Sequence, residues 1–84
     1  MRLFLISRPK ELESSWDEYD SAVVCAETKH EARNMHPRTG KPIAETEKWQ
    51  QAEWIPAASV QVKYIGQPAA HLKKGVILAS FIHG

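Results

Sequence analysis

The side chains that could do chemistry are four histidines, one cysteine, an acidic run and a few arginines. His30 and His36 stand six residues apart with a predicted helix end between them, and His71 and His83 are isolated. Two ligands on one element reach a single metal ion at short spacings such as CxxC or HxxxH. No pair has such a spacing, so neither a metal site nor a cofactor is expected. Cys25 precedes His30 by five residues and could pair with His30 or His36 as thiol and imidazole. It lies in an apolar stretch, however, where cysteine serves as a small core residue. Ser80 has no glycine elbow around it, as a serine nucleophile of that type needs. Asp17, Glu18 and Asp20 bring carboxylates together, but acid–base work needs two of them at a fixed separation in a dry site. A small hydrolase acting through Asp17 and Asp20 is therefore the weakest expectation.

Anion binding has other requirements. The glycines Gly40, Gly66, Gly75 and Gly84 are scattered, so no Gly-rich phosphate loop exists. A phosphate would have to be gripped by guanidinium groups, with Arg8, Arg33 and Arg38 the candidates if they converge. Trp16, Trp49 and Trp54 all fall in or beside predicted loops. They either lid the core or serve a binding surface, where tryptophan is over-represented among hot spots.

The elements that must position these groups follow from periodicity. Residues 2–7 contain the apolar run Leu3-Phe4-Leu5-Ile6, stopped by Arg8-Pro9, and read as a strand buried on both faces. Residues 9–18 form an acidic loop. Tyr19 to Ala26, with β-branched Val23 and Val24, predicts a second strand. Ten connecting residues are too few for a helical crossover, so the two strands should pair antiparallel. Thr28 and Glu31 have the spacing of a capping box, which predicts a helix start with the Glu31 carboxylate returning to the amide of residue 28. Ala32 and Met35 then share a face toward the sheet, and Pro37 ends the helix at His36. In the region 38–53, Thr39 to Pro42 predicts a turn and Ala44 to Glu53 one or two helical turns. Pro56 to Ser59 predicts one more.

Val60 to Ile65 alternates apolar and polar, the pattern of a half-exposed strand. Val76 to Ile82 is apolar at both phases and is predicted to lie at the centre of the sheet. The expected fold is one α+β domain spanning residues 1–84. Its β-β-α-β-β order gives a four-stranded, mostly antiparallel sheet with one main helix on one face.

Composition bounds the function. The net charge of +1 argues against nucleic acid, which would need a clustered basic excess. Residues 10–20 are acidic and residues 28–41 basic, which means either solvated loops or a bipolar surface for a charged partner. The apolar N-terminus is too short for a signal peptide or a membrane span, so no membrane partner and a cytoplasmic location are expected. A lone cysteine excludes a disulfide within the chain and suits a reducing compartment. A chain of 84 residues buries only roughly 60–65% of its unfolded surface, so a homodimer is expected to support a thin core.

The motifs in order resemble a group of small bacteriophage proteins to which no activity is attached. The resemblance rests on Leu5-Ile6-Ser7-Arg8, Asp17 to Val24, Glu31-Ala32-Arg33 and His36-Pro37. It continues through Trp54, the strand from Val60 to Gly66, and Gly75 to Phe81. Members commonly end in Ser-Phe-Asn-Ala-Gly; this chain departs there with Ser80-Phe81-Ile82-His83-Gly84. The loop 38–53 lies outside the likeness. The resemblance implies a phage protein acting in an infected bacterial host, and small phage accessory proteins of this kind work by binding. The expectation is a non-enzymatic protein that counters host defence by sequestering a nucleotide immune signal. The alternative is an inhibitor that binds a host defence protein complex directly, in the manner of an anti-CRISPR protein. The expected ligand contacts are Arg8, Tyr19, Asp20, Arg33, His36 and Trp54.

Overall fold

The computed structural model describes residues 1–12 and 17–82, so Trp16 and His83 lie outside the described residues. Four strands form a single sheet: β1 (Arg2–Ser7), β2 (Glu18–Ala26), β3 (Gln61–Gly66) and β4 (Gly75–Ile82). Their spatial order is β3-β1-β2-β4, and every neighbouring pair is antiparallel. Between β2 and β3 run the short helices α1 (Lys29–Arg33) and α2 (Lys48–Gln51), with 3-10 turns at Ile43–Glu45 and Ala57–Ser59. The α+β architecture expected from the sequence is what the chain adopts.

One face of the sheet makes the core. Phe4 and Ile6 of β1 stand opposite Val24 and Ala22 of β2, and all four are buried. Val62, Val76, Ala79 and Phe81 pack against them from the flanking strands. The cover comes from Ala32 of α1, from Met35, which lies past the end of α1 in a bridge to Pro42, and from Trp54, Ile55 and Val60 in the long connection. Thr28 caps α1 as its spacing predicts, its Oγ1 accepting the Glu31 N–H at 3.1 Å. The Glu31 carboxylate returns one residue further than expected, accepting the Glu27 N–H at 2.8 Å. Lys74 pairs with the same carboxylate at 2.8 Å, and these bonds hold it below the usual carboxylate pKa.

Two expectations are corrected. β4 is an edge strand and not the centre; β1 and β2 occupy the middle. Nor is β1 buried on both faces, since Leu3 and Leu5 on its other side are only half-buried. No helix or second sheet covers the outer face among the described residues; Cys25 is buried there beside Met1, while Leu78 of β4 is 68% exposed. Among the described residues no helix is long and apolar enough to cross a membrane.

Candidate functional site

Arg8 follows β1 directly, at the point where Pro9 ends the ladder. Its guanidinium turns inward. Nε donates to the Tyr19 carbonyl at 2.6 Å, and the terminal nitrogens donate to the carbonyls of Leu12 and Glu53 at 3.2 Å each. Glu18 lies 3.7 Å away, and the Trp54 ring centroid 5.5 Å from the guanidinium carbon. The Arg8 side chain is only 6% exposed. It therefore ties the end of β1, the start of β2 and residue 53 together, and its donors face the chain's own carbonyls.

Tyr19 and His36 belong to the same cluster. The Tyr19 ring meets His36 edge-on at 6.2 Å and Phe81 at 4.8 Å. His36 is fully buried. Its Nδ1 accepts the Arg38 N–H at 3.1 Å, which leaves the proton on Nε2 to be donated to the Gln50 carbonyl at 2.5 Å. Burial lowers the His36 pKa, because the imidazolium would lose its hydration. The ring is thus a neutral spacer with both nitrogens engaged. Arg38 closes the outside: it pairs with Glu53 through Nε at 2.8 Å and lies 5.3 Å from the Trp49 ring and 5.7 Å from Tyr19.

The structure thus brings Arg8, Tyr19, His36 and Trp54 together, as a binding site would require. It also buries them and engages the Arg8 guanidinium and both His36 nitrogens within the chain. The buried Trp54 Nε1–H has no hydrogen-bond partner among the described residues. This cluster latches the long connection onto the sheet, and a ligand could enter only by displacing it. The other two expected contacts lie elsewhere. Asp20 is exposed at a register shift of β2, where Tyr19 and Ser21 face Phe81 and Ser80. Arg33 lies on α1 and donates to the Val60 carbonyl at 2.7 Å. Asp17 and Asp20 are both exposed, so their carboxyls share no dry pocket. Cys25 is buried, with its Sγ 3.8 Å from the Met1 sulfur. No group of metal-ligating side chains occurs among the described residues.

Two open grooves flank α1. The first, about 510 Å³, is lined by His30, Glu31, Asn34, Met35 and Lys74. Its main charges neutralise each other through the Glu31–Lys74 pair at 2.8 Å. The second, about 490 Å³, lies between β1, β3 and the start of α1 and is lined by Arg2, Phe4, Lys29, Tyr64 and Gln67. Arg2 and Lys29 make no ion pair among the described residues. Tyr64 is 48% exposed, and its ring is braced edge-on by buried Phe4 at a centroid distance of 6.0 Å. Lys29 and Arg33 are four apart on α1 and share a side. That side faces β3, so Arg33 extends the cationic row beyond the groove. Two free cations beside a braced, half-exposed ring can hold an anion that carries a planar group.

Tyr64, the ring of this groove, was missed in the sequence because it is in phase with Val60 and Val62 and therefore reads as core. Its position on the edge strand β3, at the margin of the cover, is what exposes it. No family model, curated protein or solved structure matches the chain.

Proposed function

We propose that this is a non-enzymatic binding protein whose ligand is an anionic nucleotide, held in the groove of Arg2, Lys29, Tyr64 and Gln67. The observation that supports the reading is the pairing of unneutralised Arg2 and Lys29 with the exposed ring of Tyr64 in one groove of about 490 Å³. That volume is within the usual range for small-molecule sites. In this reading the base stacks on Tyr64, worth about 1–3 kcal/mol for such contacts. Arg2 and Lys29 take the phosphates, Arg2 by its bidentate fork and Lys29 as a point charge. Gln67 offers both donor and acceptor to the base edge. In the phage setting that the sequence resemblance implies, the protein would act in the host cytoplasm by lowering the free concentration of a nucleotide immune signal.

Thermal denaturation with ADP, ADP-ribose and cyclic mononucleotides tests this. At a hundredfold excess over Kd, binding stabilises the fold by about 2.7 kcal/mol. For a domain of this size that is a rise of at least about 10 °C in Tm. Lys29→Glu and Tyr64→Ala should each abolish the rise while leaving the ligand-free Tm within a few degrees. No shift at millimolar concentrations of any of these nucleotides, or a shift that both variants retain, would rule the groove out.

A further inference from the structure

The outer face of the sheet is patterned for a second layer. Strand pairing sets Leu5, Val23 and Leu78 side by side across β1, β2 and β4, and Ser7, Ser21 and Ser80 in the row beside them. A third row is Leu3, Cys25 and Gly75. These three rows contain no charge. Only β3 alternates as a solvated strand should, with Lys63 opposite Leu5 and Gln61 opposite Ser7. An antiparallel sheet that keeps one face in water shows polar residues at alternate positions along its strands. Here β1, β2 and β4 each offer a single serine and no charge in these rows, and a depression of about 250 Å³ opens between Leu5, Val23 and Leu78.

We propose that a second copy of this chain packs on this face, sheet against sheet, about a two-fold axis. The face is self-complementary in charge: an uncharged patch on a chain of net charge +1 meets its copy with little repulsion and offers nothing to an acidic partner. Its geometry suits a two-fold running along Val23 parallel to the strands. Leu5 of one copy then seats on Leu78 of the other, and the two Lys63 side chains lie at opposite edges. The three strands that face the copy, about 4.8 Å apart and six to nine residues long, cover roughly 14 by 25 Å. Side-chain relief carries this projection of about 350 Å² toward the lower end, about 600 Å² per subunit, of standard interfaces. Aligned packing at about 10 Å would make a sandwich with the helices outermost. The groove of Arg2, Lys29 and Tyr64 lies on the other face and stays open, so this inference stands independently of the ligand.

Sedimentation equilibrium of the intact protein between 10 and 200 μM tests it. The expected mass is twice the 9.5 kDa chain. Leu78→Lys, at an exposed position, should give the monomer with an unchanged circular dichroism spectrum. Ser80→Lys replaces an exposed polar side chain of the same face, removes nothing apolar, and decides the matter alone should Leu78→Lys unfold. A wild-type monomer at 200 μM would overturn the proposal, even if a different protein later proved to cover the face. So would a dimer that persists in Ser80→Lys.

Discussion

Replacing Arg8 distinguishes a structural clamp from a ligand contact. In Arg8→Met the Tyr19 carbonyl loses a part-buried, charge-assisted bond of 2.6 Å. Such bonds contribute about 1.5–3 kcal/mol. The Glu53 carbonyl loses less, because the Tyr19 N–H still donates to it at 2.8 Å. The bond to Leu12 lies in solvent and adds little. Loss of the guanidinium over the Trp54 ring removes about 1 kcal/mol more. Together the change costs about 3–5 kcal/mol. An 84-residue domain has roughly 4–13 kcal/mol in total, so Arg8→Met leaves it near the edge of folding. Urea denaturation should show the loss directly, and Tm should fall by at least about 12 °C. Arg8→Lys should recover only part, because an ammonium cannot donate along three fixed directions at once. A surface ligand contact would change stability by no more than about 0.5 kcal/mol. If Arg8→Met stays within about 1 kcal/mol of the wild type, the clamp argument is wrong.

Two other perturbations probe the same architecture. His36 is buried neutral with its pKa lowered, so the unfolded chain takes up a proton, at about pH 6.5, before the folded chain does. Stability is therefore full above that pH and falls as pH drops toward 5; Arg38 and Glu53 are the charges facing the ring. His36→Phe should be less stable overall but should flatten this slope, and an equal slope in both proteins would exclude His36 as its source. Thr28→Ala removes the oxygen that accepts the Glu31 N–H and should cost about 1 kcal/mol, read as a Tm lower by about 4–8 °C. An unchanged Tm would mean that packing of Ala32 and Met35 holds α1 without its cap.

The fold was legible wherever a residue's type depends on its immediate neighbours. Strand periodicity and the Thr28 cap are local signals, and the strands and the start of α1 lie close to where they place them; α1 stops at Arg33, short of the predicted end at His36, because Asn34 caps it and Met35 pairs with Pro42. The place of β4 is a different matter. Val76 to Ile82 is apolar at both phases, and two arrangements produce that pattern: a central strand, or an edge strand whose outer face is covered from outside the chain. Neighbouring sequence does not separate them; strand order does. The candidate contacts show the same division. Arg8, Tyr19, His36 and Trp54 do converge, yet their partners are the carbonyls of residues 11, 14 and 45 positions away. Main-chain partners at such distances leave no mark on residue type. Tyr64 escaped for the converse reason, since its strand phase is that of the core and its exposure comes from where the cover ends.

What decides between a structural and a functional polar residue here is who holds its atoms. Residues 34–60 contain only short helical pieces, so their backbone groups have few regular partners. A buried carbonyl without a partner is costly, and a small domain has little hydrophobic surplus to offset it. The side chains with the most donors are therefore drawn inward: Arg8 to Tyr19 and Glu53, His36 to Gln50, and Arg33 to Val60. Arg38 reaches the Glu53 carboxylate and closes the same latch. Once these residues serve the fold, the groups still able to recognise an outside molecule are those no element uses. Arg2 and Lys29 are such groups, and they share a groove with an exposed ring. A cation's freedom, more than its presence beside aromatics, is what locates the candidate site, and it moves that site from the end of the sheet that holds Arg8 to the side of β3 that faces α1.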